Sequence, residues 1–270
     1  MRFGRRKDVM HISEAELTAM TVQLDEMHRA ALPEMHEAVS AWSEKLRDGL
    51  GHAGTHQPSR RGFLLGSGVA LGGVALAACG GTDSGKPPTT TTAAGKAPAK
   101  SDPTNVQVGM LATALENTAV LTYATALKAA QSGKLGDVPP AIATFVTTVM
   151  QQHQDHADAW NGALPSGNKV GKQIDTTVMD NVVGPAIANV KDIAGVAALG
   201  LVLEDAAAAT YQKSLQQLTD TTQLQLPASI QPVEMQHAAI LMFVLGRYPV
   251  PNSFSTIDAA RPITDHIGNA

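Results

Sequence analysis

From residue 104 onward the chain runs in long Ala- and Leu-rich apolar stretches, broken by Gly and Pro, with few strand-forming residues in alternation. That pattern predicts helices rather than sheet. Four long helices can be marked: about 105–130, closed by Ser132-Gly133; from Pro139-Pro140 to about 161, closed by the GALPSGN loop; about 192–218; and one beginning between Pro227 and Pro232 and ending at Gly246. A crossover with a short helix over about 176–190 joins the second to the third, and the Pro-broken tail, 251–270, is expected to pack over the helices. Upstream, Ser13 followed three residues later by Glu16 reads as a helix cap, with apolar positions continuing through Met20, Leu24 and Met27. Pro33 is expected to open a second stretch that runs to Gly49, which makes residues 1–58 a small helical pre-region.

Between these parts the pattern changes twice. The run 62–78, GFLLGSGVALGGVALAA, is apolar and ends in small residues, and it falls short of the roughly 20 residues that span a bilayer. It reads as the core of a signal peptide. Residues 80–103 are Gly, Pro, Thr and Ala with almost nothing large to bury, so they cannot offset the entropy of ordering and are expected to form a flexible spacer.

Composition narrows the function. A net charge of -4 and a pI near 6.1, with no long basic block, predict no nucleic-acid partner. The single cysteine, Cys79, cannot form an internal disulfide.

Its setting is informative. Ser59-Arg60-Arg61-Gly62-Phe63-Leu64 resembles the twin-arginine export consensus, and Leu76-Ala77-Ala78-Cys79 resembles a lipoprotein cleavage box. The resemblance makes 59–79 a signal that engages the twin-arginine translocase through Arg60 and Arg61. It also implies a lipid on Cys79 that holds the exported chain on the outer face of the cytoplasmic membrane. Twin-arginine substrates generally fold, and often load a cofactor, before crossing. The long segment before the signal is then either removed with it or lies ahead of the true start of translation.

Comparing the helices with one another exposes a repeat. Leu115-Glu116-Asn117-Thr118-Ala119-Val120-Leu121-Thr122-Tyr123 and Leu203-Glu204-Asp205-Ala206-Ala207-Ala208-Ala209-Thr210-Tyr211 share one template. His153-Gln154-Asp155-His156 and Glu234-Met235-Gln236-His237 each place two donor side chains at i and i+3. Two related helical hairpins joined by a long crossover predict an all-α four-helix bundle over 104–250, with the crossover between helices two and three. Glu116 and Glu204 sit among Ala, Val and Leu, so each carboxylate is expected to face the interior, where only a partner or a cation makes it tolerable.

This arrangement resembles the ferritin-like di-iron carboxylate superfamily, with one Glu on each odd helix and Glu-x-x-His on each even helix. The resemblance implies a metal site built from Glu116, His153, His156, Glu204, Glu234 and His237, holding one or two ions per chain, with iron as the family's metal. Helix two departs from the pattern: His153 stands where the family has Glu. Only three carboxylates then face two cations, so the second ion is held weakly, a single ion is preferred, or Gln152 or an outside anion joins the set. The more His-rich donor set shifts the balance toward Mn or Zn. His153 itself could face the ions, cap them from behind or point outward.

Tyr123 and Tyr211 each follow their Glu by seven residues, nearly on the same face, and are better placed to hydrogen-bond a carboxylate of a neighbouring helix than to bind the same ion. His28 and His36 read as exposed helical histidines, and Asp265 and His266 as ordinary surface residues. The function expected is an envelope-side lipoprotein whose metal centre reacts with oxygen or peroxide, or stores or senses iron. The alternatives are a structural or interaction lipoprotein with a degenerate site, and a module that binds a small ligand between its helices. No catalytic residue is assigned, and no oligomeric state is implied.

Overall fold

The computed structural model describes residues 12–49, 103–218, 221–249, 255–265 and 267–268. The twin-arginine motif, Cys79, the spacer up to residue 102 and His266 lie outside the described residues.

Helix α1 is Glu14–Gly49, α2 Pro103–Gln131, α3 Pro140–Ala163, α4 Ile193–Gln217 and α5 Gln225–Val244. Three of the starts have a local cause. Ser13 and Glu16 form a reciprocal capping box, in which the Ser13 amide donates to Glu16 Oε2 at 2.9 Å and the Glu16 amide donates to Ser13 Oγ at 3.1 Å. Pro140 opens α3, where its missing N–H is not needed, and Asp192 caps α4 by accepting from the Gly195 amide at 2.8 Å. Between α3 and α4 the chain crosses over through β1 (Ile174–Asp175), Thr176–Val178, a wider-wound turn at Met179–Val183, and Gly184–Asn189. β1 pairs antiparallel with β2 (Ile267–Gly268), which ties the tail to the crossover.

Helices α2 to α5 form the all-α bundle. α4 is the one helix among the described residues long and apolar enough to cross a bilayer, but 61% of its apolar window is buried inside the protein. It is a core helix.

Two sequence expectations are corrected by α1. Residues 14–49 form one continuous helix, not two stretches divided at Pro33, because Pro33 and Arg29, whose carbonyl loses its helical partner there, both lie on the exposed face where water takes over. The helix is not set apart from the bundle either. A stripe of Leu17, Leu24, Met35, Ala38, Trp42 and Leu46 at helical spacing is buried, and these residues enter the two main apolar clusters of the bundle. Trp42 is fully buried, edge-on to Trp160 of α3 with ring centroids 4.9 Å apart.

The core is layered. One apolar cluster gathers Trp42, Trp160, Tyr211, Leu226 and Ile230, and the other Leu17, Phe145, Val149, Leu241 and Tyr123. Glu116, His153, His156, Glu204, Glu234 and His237 belong to neither cluster, although all six are buried.

The tail differs from its expectation in one respect. Asp265 is paired with Arg261, whose Nε lies 3.6 Å from the buried Asp175 Oδ2, so it is partly buried and not an ordinary surface carboxylate.

Candidate metal centre

Six donors come from four helices: Glu116 from α2, His153 and His156 from α3, Glu204 from α4, and Glu234 and His237 from α5. Each is at most 2% exposed. The four helices turn these faces toward one another, which holds the groups away from water. The i, i+3 spacing on α3 and on α5 points both donors of a pair inward.

The six converge in two overlapping groups, Glu116-His153-His156-Glu234 and His153-Glu204-Glu234-His237, in each of which the donor atoms lie within 4.8 Å of one another. Glu234 and His153 belong to both groups. His153 faces the site, with Nδ1 2.7 Å from Glu116 Oε2 and Nε2 3.2 Å from Glu204 Oε1. His156 Nδ1 lies 3.0 Å from Glu234 Oε1, and His237 Nδ1 lies 3.2 Å from Glu204 Oε2.

The tyrosines are crossed between the two halves of the repeat. Tyr123 on α2 donates to Glu204 on α4, and Tyr211 on α4 donates to Glu116 on α2. Trp160 Nε1 in turn donates to the Tyr211 hydroxyl at 3.0 Å. Gln152, proposed from sequence as an extra ligand or a support, acts from behind: its Oε1 accepts from His237 Nε2 at 2.7 Å, which leaves His237 Nδ1 to face the carboxylates. Gln152 Nε2 points to the Leu24 carbonyl of α1 at 3.5 Å.

His28 is the residue that sequence reading missed. Expected to be exposed, it is 7% exposed, with Nε2 3.1 Å from Asp155 Oδ2 and its ring 5.4 Å from that of His156. Burial, then His156, lower its pKa. The missed signal was its place in the buried α1 stripe, midway between Leu24 and Leu32. His36 is exposed.

Charge in this dry layer is arranged by mutual compensation. Burial alone would raise the Glu116 pKa, but His156 and then His153 draw it down to about 2. Glu204 is likewise held well below the carboxylate range by His153 and His237 against its burial. The imidazoles respond in the opposite sense. Burial would lower His156, yet Glu116 and Glu234 raise it to about 9; His153 is raised well above its ordinary value by Glu204 and Glu234, and His237 is raised chiefly by Glu204. Burial, then the neighbouring Glu204 and Glu116 respectively, push Tyr123 and Tyr211 well above the usual phenol value, so both hydroxyls stay protonated and donate.

Glu234 is tied into the cluster by charge more than by directed bonds. Both of its carboxylate oxygens and Nδ1 of His156 are buried without a well-directed hydrogen bond, although that nitrogen lies 3.0 Å from Glu234 Oε1 and His237 Nδ1 lies 3.6 Å from Oε2. A buried carboxylate in that state is expensive unless a cation takes up its lone pairs, and Glu234 is the carboxylate common to both donor groups. The residues therefore fit a divalent ion, or two, held by mixed carboxylate and imidazole donors.

These shifts set a pH dependence. A raised imidazole pKa stabilises the metal-free fold fully below the ordinary value and loses that contribution as pH climbs through it, about 9 for His156. A cation must displace those same protons. The apparent affinity for a divalent ion is therefore expected to rise steadily from about pH 6 to about pH 9, with protons released on binding, as calorimetry in buffers of different ionisation enthalpy would show.

A family model for a ferritin-like domain matches residues 104–247, more than half of the chain, and its span runs from the first turn of α2 to just past the end of α5. Comparison with curated proteins and with solved structures returned no match. The matched span holds all six buried donors, and on that match the chain belongs to the ferritin-like domain family.

Proposed function

We propose that this protein is a cell-envelope lipoprotein whose ferritin-like domain binds one or two metal ions per chain, iron first by family and Mn or Zn as alternatives, in the service of oxygen- or peroxide-linked chemistry or iron handling. The observation that supports it most is Glu234: a fully buried carboxylate with no well-directed hydrogen bond, shared by two donor groups. Bound iron would supply one-electron redox chemistry. The chain's own residues would orient and insulate the ions: Tyr123 and Tyr211 fix the outer carboxylates, Gln152 fixes His237, and the two apolar clusters exclude water.

A second reading rests on His153. Its two ring nitrogens reach Glu116 and Glu204 at once, so a protonated imidazole can tie the layer together without any metal, as a structural lipoprotein would need. Elemental analysis of protein purified after passage through its own export route decides between them. About one or two ions per chain, reduced in Glu204→Ala, supports the metal reading; none, with helicity unchanged by chelator, supports the second.

Export is the remaining part of the proposal, carried by Arg60, Arg61 and Cys79. Replacing both arginines by Lys is expected to hold the protein in the cytoplasm, and Cys79→Ala to remove it from the membrane fraction. Cleavage before Cys79 would part α1 from the bundle it covers, so the exported form is expected to run at the size of residues 79–270 and to lack α1. A lipidated product that still contains α1 would contradict this part.

A further inference from the structure

An apolar cavity of about 30 Å³ lies at the end of the bundle where the C-terminal turns of α2 and α5 meet the first turns of α3 and α4. Ala126, Phe145, Val146, Ala197 and Leu241 are among its lining, and Tyr123 contributes its one polar side chain. That hydroxyl is already committed to Glu204. A well-held water needs two to four polar partners, which this partly open, apolar lining does not offer. The space is also far too small for a drug-sized or acyl ligand, whose pockets run to roughly 300–1,000 Å³. What fits is a single small apolar molecule.

Its position gives the space a use. Tyr123 lines the cavity on one side and stacks its ring on His153 on the other, with centroids 5.7 Å apart and planes within 20°. One aromatic ring thus separates the cavity from the cluster. α4 is shaped to permit this. Gly200, one turn before Glu204, is a helix-interior glycine, which costs about 1 kcal/mol relative to Ala. A Cβ there would meet the Tyr123 hydroxyl at 3.0 Å and Leu241 Cδ1 at 3.2 Å. The missing side chain is the room in which the Tyr123 hydroxyl reaches its carboxylate.

We propose that this cavity is a binding site for one small apolar gas molecule, of the dioxygen class, held one tyrosine ring away from the carboxylate-histidine cluster that it supplies. The supply step rests on the metal reading above; the gas site itself does not.

The test uses the full chain. Under xenon pressure the metal-free protein is expected to take up one xenon per chain at this place, seen as a single bound site in crystals or by xenon NMR. Ala126→Leu, which fills the floor, should abolish that uptake; Ala143→Leu acts at a partly exposed lining position and serves as the second variant should the first fail to fold. After loading with Fe(II), dioxygen is added and the oxidation followed: two ferrous ions each give up one electron to one dioxygen, which leaves with two solvent protons as hydrogen peroxide. The filled variants should bind the same amount of Fe(II) and oxidise it at least about tenfold more slowly. Absence of xenon from the folded wild-type chain overturns the proposal, as does an unchanged oxidation rate in a variant that has lost xenon. Xenon uptake that Ala126→Leu abolishes, in a chain that takes up no Fe(II), supports the gas site and overturns the metal reading instead.

Discussion

Replacing Glu234 by Gln is expected to abolish metal uptake at both candidate positions while leaving the bundle folded. Glu234 is the one carboxylate in both donor groups, so its loss removes an anionic ligand from each ion. Losing a group merely behind a ligand already weakens metal binding about 10- to 100-fold, so removal of a shared ligand should exceed about 100-fold. Glu116→Gln and Glu204→Gln make the comparison, because each touches one group only and should spare one ion of two. The metal-free proteins provide a second readout. Glu234→Gln takes a buried counter-charge from His156, whose Nδ1 lies 3.0 Å from Glu234 Oε1, and from His153 and His237, so its melting temperature without metal should fall below that of the parent at neutral pH. Glu116→Gln breaks the bond that Tyr211 and His153 make to a carboxylate, and its melting temperature should fall. Metal titration followed by calorimetry checks both halves.

Trp42→Ala in the uncleaved chain is expected to destabilise the fold by about 3–5 kcal/mol, as large truncations in well-packed cores do. Trp42 is completely buried against Trp160, which itself donates to the Tyr211 hydroxyl and so stands two contacts from Glu116. The loss should appear as a lowered urea midpoint for the whole bundle, not as a separate early transition, because α1 shares its core clusters with α2 to α5. A change within about 0.5 kcal/mol, the range of ordinary surface substitutions, would mean that α1 folds apart from the rest.

How much of this was legible beforehand depended on whether the signal was local. The Leu-Glu template at 115–123 and 203–211 carries both its carboxylate and its tyrosine at fixed helical spacing, so the crossed Tyr123 to Glu204 and Tyr211 to Glu116 bonds follow once the two helices are neighbours. The sequence leaves the orientation of His153 open, because a single imidazole among Gln and Asp can turn either way; contact with Glu116 and Glu204 on two other helices is what places it.

The docking of α1 could not be read for a related reason. Its apolar stripe is typical of any amphipathic helix, and nothing in residues 14–49 names the partner face. Pro33 read as a boundary because a proline's cost depends on which side of the helix it occupies, and that is set by packing. His28 falls out of view in the sequence because it becomes significant only when α1 lies across α3 and brings it to Asp155, whereas Gln152 is visible as a donor and only its place behind His237 depends on the packing of α3 against α5. In the sequence Pro227 and Pro232 read as breakers that delay the last bundle helix, whereas α5 starts at Gln225, with Pro227 in its first turn and Pro232 on its exposed side.

The central claim is that these buried acids and imidazoles exist to hold cations. Crystals of the full chain soaked with Fe(II) without oxygen, with anomalous scattering recorded at the iron edge, test it most directly. The account predicts one or two strong peaks beside Glu234, with His153 drawn away from at least one of the two carboxylates it bridges. A difference map without peaks, with His153 still joining Glu116 to Glu204 in the presence of excess iron, would contradict it.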